Sequence, residues 1–235
     1  MELHRSIPKE VEDLGPDLNG KPYEYFEKAY SLTKKFYFQE LDRISNVRLE
    51  NVDPEFFFKE LIWVVHATGF SAKAVSKFIS KLYAAYGTWS EVASKSAEEL
   101  LNDVKVVCNN PQKIKAIHKT ALFIMKQLKT QTWEEFRAEY LSTPELLAKL
   151  PYVGKITCYH LGRNIGLLDC VKPDLHLVRM ASNWKFKDCL SMCMSIKKEH
   201  QKQTEEELPL GIVDLILWYG ASTWSTTKIR KQGER

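Results

Sequence analysis

The residue with the clearest chemical potential is Asp174, which follows Pro173 at the predicted start of a helix. A carboxylate there can cap the helix by accepting backbone N–H groups, or it can stabilise positive charge and move a proton on a ligand. The segment Leu150-Pro-Tyr-Val-Gly154 begins 24 residues earlier and predicts a tight turn between two helices. Gly154 would let the backbone turn and expose N–H groups that suit a phosphate oxygen. A plain corner between helices is the alternative.

Positive charge is concentrated around these two features. The whole chain carries a formal net charge of +4, whereas the stretch from Leu146 to Lys187 holds seven basic and two acidic residues. The remainder of the chain is therefore close to neutral, and a polyanion would be drawn to this stretch first. A solvated basic face is the alternative reading of the same cluster.

Composition excludes several other classes of protein. No apolar run approaches the roughly 20 residues that span a bilayer, and the first 15 residues lack the apolar core of a signal peptide. We therefore expect no membrane partner and a cytoplasmic, nucleoid-associated or nuclear location. The five cysteines are an odd number without a CxxC pair, which argues against a disulfide framework and a four-cysteine metal site. We expect reduced thiols, no bound metal and no cofactor.

Cap and turn signals recur at helical intervals, and alternating strand patterns are missing, so the predicted fold class is all-α. Asp53-Pro54 opens one helix, and Ser96 with Glu99 and Thr132 with Glu135 have the spacing of capping boxes. Further helices are predicted from Pro111 to about Leu128, from Pro144 to about Lys149, from Lys155 to about Gly166, and near Leu175–Trp184, Asp188–His200 and Leu210–Gly220. Residues 167–173 should form an extended connector, because Gly166 and Pro173 bracket them.

The run LPYVGKITCYHLGRNIGLLDCVKPDLHLVR, from Leu150 to Arg179, resembles the signature of the helix-hairpin-helix-GPD superfamily of DNA glycosylases, whose founding members resemble endonuclease III. The likeness extends over residues 50 to 220. It implies a protein that binds double-stranded DNA, flips one nucleotide out of the stack and breaks the bond between its base and its sugar. That reaction builds positive charge at C1′, and the resemblance implies that Asp174 is the catalytic carboxylate.

The resemblance also implies which residues contact DNA. Hairpin N–H groups would hold phosphate oxygens and fix the register without reading sequence. The expected contacts are Pro151, Tyr152, Val153, Gly154, Lys155 and Thr157 of the hairpin, His176 and Arg179 after the catalytic aspartate, and Asn109, Asn110 and Lys113 of an upstream loop.

Two departures from the family pattern bear on mechanism. Members that also nick the backbone carry a Schiff-base lysine two residues after the hairpin's last glycine, where this chain has Ile156. The adjacent Lys155 points away by about 100° on a helix, so water is the expected nucleophile and an intact abasic site the expected product. The four cysteines that hold an iron–sulfur cluster after the last core helix are also missing.

A flipped base needs a stacking surface and hydrogen bonds along its edges. Ile156 and His160 are four residues apart and should share one helix face, and Asp214 and Trp218 stand in the same relation. In related enzymes these positions flank the base, so the four residues form the predicted base pocket. Core packing for Trp218 and an ion pair for Asp214 are the alternatives.

The residue that fills the gap left by flipping is less sharply defined by the sequence. Its candidates are Asn109, Asn110, Gln112 and the turn at residues 66–70. The aromatic stretch at the N-terminal end should pack the second lobe; it comprises Tyr23, Tyr25, Phe26 and Tyr30.

The predicted architecture is a two-lobed helical fold with the catalytic aspartate at the interdomain cleft. Residues 53–159 would form a central helical barrel with the hairpin, and residues 1–52 with 160–235 a second lobe. The predicted function is a monomeric, monofunctional DNA N-glycosylase. A bifunctional glycosylase/lyase using Lys172 or Lys155, and a non-catalytic helix-hairpin-helix DNA-binding protein, are the alternatives. The excised base stays open among mismatched uracil or thymine, alkylated purines, oxidised guanine and hypermodified phage bases.

Overall fold

The computed structural model describes residues 19–69 and 72–232, and the side chains of all of these except 72, 73 and 223–232. Every regular element in this part of the chain is helical, which confirms the all-α prediction. The described residues divide into two compact units, Val47–Leu167 and residues 19–46 with 168–232. The first unit thus extends beyond both boundaries, 53 and 159, that the sequence suggested. No helix among the described residues combines the length and apolarity needed to cross a bilayer.

The second unit contains α1 and α11 to α13, and the first contains α2 to α10. Along the chain the described helices are α1 (Pro22–Asn46), α2 (Pro54–Ala67), α3 (Ala72–Ser76), α4 (Ile79–Tyr86), α5 (Trp89–Ser94), α6 (Ala97–Lys105), α7 (Pro111–Gln127), α8 (Trp133–Phe136), α9 (Pro144–Leu147), α10 (Thr157–Asn164), α11 (Leu175–Asn183), α12 (Cys189–Thr204) and α13 (Leu210–Gln232). A 3₁₀ turn, Leu49–Asn51, precedes α2, and a π-helical turn, Arg137–Leu141, continues α8.

Side-chain caps begin several helices where the sequence predicted. Asp53 accepts a hydrogen bond from the Phe56 N–H at 2.7 Å, and Pro54 follows at the first helical position. Ser96 and Thr132 each form a reciprocal capping box with the glutamate three residues later. Such caps satisfy N–H groups that the helix itself leaves without acceptors, which contributes about 1 kcal/mol each. Helix α9 is shorter than predicted, and α13 continues past Gly220.

The core of the first unit is built on α2, α7 and α10. Its fully buried side chains include Phe57, Phe58, Leu61, Ile114, Ile117 and Leu161. A buried polar contact joins α10 to α2, because Asn164 Nδ2 donates to Glu60 Oε2 at 2.8 Å. Gly166 ends this unit's last helix with φ +98°, and a Cβ there would lie 2.7 Å from the Leu49 nitrogen. Only glycine therefore fits at that position without strain.

The core of the second unit is built on α1 and α13. Gly220 lets the two helices approach, because a Cβ at this position would lie 3.0 Å from the Tyr25 hydroxyl and 3.1 Å from Ala29 Cβ. Tyr37, at a kink in α1, stacks on Tyr219 with ring centroids 4.2 Å apart. The predicted packing of the N-terminal aromatic stretch into this lobe is confirmed, with Tyr25 and Phe26 buried and Tyr23 and Tyr30 packed against the same core.

Candidate functional site

Asp174 lies at the N-terminus of α11 and caps it. Its backbone is extended, with φ −84° and ψ 171°, and its Oδ1 accepts hydrogen bonds from the N–H groups of His176 at 3.0 Å and Leu177 at 3.1 Å. The capping interpretation is therefore correct, but it uses only one carboxylate oxygen. The side chain is 13% exposed. Because two N–H bonds lock Oδ1, the direction of the second oxygen is fixed as well.

Lys172 organises the connector that carries this carboxylate. Its backbone oxygen accepts from the Asp174 N–H at 2.8 Å, and its Nζ lies 3.4 Å from Asp174 Oδ2. Within the described residues, that ammonium group is the only partner of Oδ2, and Asp174 is the only ionic partner of Lys172. The lysine side chain is 21% exposed. An amine and a carboxylate are thus paired on one short, partly buried segment.

Asp214, on α13, holds the backbone of the same connector. It is 1% exposed, and its Oδ1 accepts the Lys172 N–H at 3.0 Å. Burial first, and then the carboxylates of Asp214 and Asp174, raise the pKa of the Cys189 thiol to about 11. Burial and Asp214 likewise raise the pKa of Cys193. The structure therefore gives Asp214 a positioning role, and its predicted place in a base pocket stays a prediction.

The hairpin lies in the first unit between α9 and α10. Its left-handed residue is Tyr152, with φ +62°, and the Val153 N–H closes the turn on the Leu150 oxygen at 3.1 Å. The prediction that Gly154 makes the turn is therefore wrong, because the backbone reverses two residues earlier. A Cβ on Gly154 would meet nothing within 4 Å, so the fold itself does not demand glycine there. Glycine instead leaves that stretch of backbone open to close approach from outside.

Helix α10 begins without a side-chain cap. The first helical hydrogen bond runs from the Cys158 N–H to the Gly154 oxygen at 3.0 Å. The N–H groups of Lys155, Ile156 and Thr157 consequently have no acceptor anywhere in the part of the chain that the structure describes. Uncapped N–H groups at the positive end of a helix dipole are a ready site for an anion.

Helix α7 supports the hairpin through two contacts that the sequence did not reveal. Thr120 Oγ1 donates to the Pro151 oxygen at 3.0 Å. Lys119 Nζ donates to the Tyr152 hydroxyl at 3.3 Å and lies 5.5 Å from the centre of its ring. These partners are separated by 31 and 33 residues in sequence, so no local pattern could have paired them. Lys119 adds a cation beside the exposed Tyr152.

Two residues of the upstream loop that was predicted to face DNA make hydrogen bonds within the protein. Asn110 caps α7 by accepting from the Lys113 N–H at 3.2 Å, and Lys113 Nζ donates to the backbone oxygens of His66 at 2.7 Å and Thr68 at 2.6 Å. Burial lowers the pKa of Lys113. Asn109 and Gln112 are exposed, and they stay candidates for the residue that fills the gap left by base flipping. Phe70, the last residue of the other candidate turn, lies outside the described residues.

The remaining predicted site residues differ in exposure. Ile156 is 49% exposed at the start of α10, and His160 is half-buried one turn further on. In the second unit, Arg179 is exposed and makes no ion pair with any described residue, and His176 is half-buried. Trp218 packs against the second core, with its ring centroid 5.2 Å from that of Tyr219. Their predicted contacts with DNA and base stay predictions.

Two solved structures are similar to this chain. One is the 8-oxoguanine glycosylase/lyase of Methanocaldococcus jannaschii in complex with a 15mer DNA containing 8-oxoguanine; the match has 20% identity and a TM-score of 0.53 and covers 82% of this chain and 94% of that one. The other, the 8-oxoguanine DNA glycosylase of the same organism, matches with 20% identity and a TM-score of 0.54 over 85% of this chain and 96% of that one. This chain has their fold. No protein-family model matches the sequence, and no curated protein matches it.

Proposed function

We propose that the chain is a DNA N-glycosylase that excises a damaged, mismatched or modified base from double-stranded DNA. The carrying observation is the Asp174 carboxylate, which is held by two backbone N–H groups with its second oxygen turned to a lysine. The shared fold supports the proposal, because both similar structures are DNA glycosylases and one of them holds DNA. We expect the protein to act as a monomer.

Asp174 would act where charge develops. Breaking the bond between base and sugar builds positive charge at C1′, and a carboxylate held nearby stabilises that charge in the transition state. Because the helix N-terminus fixes Oδ1, little reorganisation is needed when the charge appears. The same carboxylate can orient or deprotonate the attacking water.

The hairpin would hold the DNA backbone. The free N–H groups at the start of α10 are suited to one phosphate oxygen, and Lys155 and Lys119 add positive charge around them. These contacts carry no sequence information, so the choice of base must come from elsewhere. Ile156, His160, Asp214 and Trp218 stay the proposed pocket.

Excision itself would be monofunctional, with water as the nucleophile. This part rests on Ile156, an apolar residue at the position where the resemblance implies a Schiff-base lysine in the lyase members. The specific observation that favours a second candidate, a glycosylase/lyase, is the amine of Lys172 beside Asp174. A binding-only protein would need neither the carboxylate nor its paired amine.

A panel of duplexes, each with one altered base, tests the proposal. The panel holds 8-oxoguanine first, since both similar structures are of 8-oxoguanine glycosylases, then mismatched uracil and thymine, alkylated purines and whole modified phage genomes. Hot alkali after incubation converts abasic sites to breaks. We expect breaks with one class of base, and none with Asp174→Asn. Binding of every duplex without release of any base would favour the non-catalytic alternative.

A further inference from the structure

Tyr152 adopts a backbone conformation that is rare for tyrosine. Three non-glycine residues of the described chain have positive φ, and two of them, Lys185 and Glu205, lie at the C-terminal ends of α11 and α12, where this conformation is common. The third is Tyr152, with φ +62°. Glycine would adopt this φ without strain, whereas an aromatic residue does so at a cost. Strained residues of this kind cluster at ligand-binding sites, so the Tyr152 side chain requires an explanation.

The Tyr152 side chain contributes little to the packing of the protein. It is 55% exposed and does not belong to the core of the first unit. It contacts Lys119 of α7, whose Nζ donates to the tyrosine hydroxyl at 3.3 Å and lies 5.5 Å from the centre of the ring. A long hydrogen bond between exposed groups contributes little to stability, because water offers both groups similar bonds. The compensation for the strained backbone therefore lies outside the chain.

Tyr152 and Lys119 present hydrogen-bond donors at one place on the surface. Because Lys119 Nζ donates to the tyrosine oxygen, the hydroxyl proton is left for another acceptor, and the described residues provide none. Lys119 is exposed and pairs with no carboxylate in the part of the chain that the structure describes. Two donors, one of them cationic, suit a phosphate oxygen, and the apolar face of the ring suits the carbon atoms of a sugar.

We propose that Tyr152 and Lys119 bind one phosphate of the DNA backbone, and that the tyrosine ring packs on the deoxyribose next to it. Thr120 Oγ1, which donates to the Pro151 oxygen at 3.0 Å, holds the hairpin against α7 and so keeps the two side chains together. This inference rests on the DNA-binding part of the proposed function. It assigns the contact to side chains, separate from the N–H groups at the start of α10.

Tyr152→Gly tests the inference through affinity and stability together. Glycine removes both the ring and the strain. We therefore expect the Kd for a duplex with one tetrahydrofuran abasic site to rise by about tenfold, while the midpoint of urea denaturation stays the same or rises. Tyr152→Phe keeps the ring and loses the hydroxyl, so its Kd should rise by only about threefold. A tyrosine that served the fold alone would give the reverse, a lower urea midpoint with the Kd of the wild type.

Lys119→Gln tests the phosphate contact through its salt dependence. Each phosphate that a cation neutralises contributes about one to the slope of log Kd against the logarithm of the salt concentration. We expect Lys119→Gln to reduce this slope by about one and Tyr152→Gly to leave it unchanged. Lys81→Gln, which removes an exposed lysine of α4, is the matched control and should keep the slope of the wild type.

The outcomes separate this inference from the proposed function. Weaker binding by Tyr152→Gly without loss of stability, with a smaller slope in Lys119→Gln than in Lys81→Gln, supports it. A wild-type Kd or a lower urea midpoint in Tyr152→Gly, or equal slopes in the two lysine variants, would each overturn it. Base release is measured separately on duplexes with altered bases. A chain that binds DNA through these side chains but releases no base keeps the inference while the proposed function fails, and a chain that releases bases with an unchanged Kd in Tyr152→Gly does the opposite.

Discussion

The hairpin and the connector differ in whether their polar groups have partners within the protein. At the start of α10 the N–H groups of Lys155, Ile156 and Thr157 find no acceptor among the described residues, and Gly154 faces open space. In the connector, by contrast, Asp214 holds the backbone of Lys172, and Lys172 meets Asp174 through both its backbone and its side chain. The hairpin thus leaves three N–H donors available to a ligand, whereas the polar groups of the connector bond to one another and to Asp214.

The difference separates binding from chemistry. Exposed donors without internal partners can bond a ligand such as phosphate in place of water, at the positive end of the helix dipole. A carboxylate that stabilises a transition state must instead be held still before the charge appears. Changes in the hairpin should therefore alter DNA affinity and spare the chemical step, whereas changes in the connector should do the reverse.

Asp174→Asn should have the largest effect. Asparagine caps a helix as well as aspartate does, so the fold should be kept while the negative charge is lost. We expect single-turnover base release to fall by about 100-fold or more, with the Kd for the duplex changed by less than about twofold. A release rate close to that of the wild type would break the distinction between the two regions.

The second prediction concerns His66, a buried histidine of the first unit. Its protonation limits the pH range in which variants of the two regions can be compared at constant stability. Burial, aided by Lys113, lowers the pKa of His66 to about 4, and its Nε2 pairs with the Tyr86 hydroxyl at 2.9 Å. In the unfolded chain His66 takes up a proton near pH 6.5, whereas in the folded protein it does so only near pH 4. The neutral His66 therefore costs no stability above pH 6.5. The free energy of unfolding then decreases as the pH falls from 6.5 to 4, by about 3 kcal/mol in total.

His66→Gln can keep the contact with Tyr86 and does not titrate. Its free energy of unfolding, measured by urea denaturation, should fall less than that of the wild type between pH 6.5 and 4. Parallel curves for the two proteins over this range would show that His66 is not the titrating group. Activity profiles of connector variants are then best compared above pH 6.5.

Asp214→Ala tests whether the hydrogen bond from the Lys172 N–H to Asp214 holds the connector in place. The variant leaves the Lys172 N–H without its carboxylate acceptor, so we expect a loss of about 2 kcal/mol in the free energy of unfolding. Base release should slow by about tenfold because the carboxylate is less well positioned, while the Kd for DNA stays close to that of the wild type. A fall in stability alone, with unchanged release, would reduce Asp214 to a purely structural residue.

A pair of glycine variants gives the smallest predicted effect on function. Gly154→Ala adds a methyl group that meets nothing in the protein, so stability should stay within about 0.5 kcal/mol while DNA affinity falls by about tenfold. Gly166→Ala is the contrasting control, because its φ of +98° and the nearby Leu49 nitrogen make alanine destabilising by about 2 kcal/mol or more. Equal DNA affinity in Gly154→Ala and wild type would contradict the role of the open hairpin backbone.

The sequence predicted the elements that depend on local rules. Asp53, Ser96 and Thr132 cap helices at the predicted positions, because a cap involves residues only three apart. Asp174 likewise caps α11, as its place after Pro173 predicted, and the catalytic role that the family resemblance implies for it stays a prediction. The helix ends were less accurate, as α13 shows, because no glycine or proline signal alone decides where packing stops a helix.

The misses share a physical cause, which is separation along the chain. The bond from the Lys172 N–H to Asp214 spans 42 residues and was not foreseen, whereas the predicted place of Asp214 in a base pocket stays a prediction. Lys119 and Lys113 were likewise given no structural task, although each reaches a distant loop. The turn of the hairpin was predicted at Gly154, whereas its left-handed residue is Tyr152, a residue type that gives no such signal in the sequence.

The central claim is that an ionised carboxylate at residue 174 meets positive charge at C1′. Its most direct test is the affinity for two abasic analogues in one duplex sequence, a pyrrolidine with a protonated amine at C1′ and an uncharged tetrahydrofuran. We predict that the wild type binds the cationic duplex at least about tenfold more tightly, and that Asp174→Asn loses this preference. Equal binding of both analogues by the wild type, or an undiminished preference in Asp174→Asn, would contradict the account.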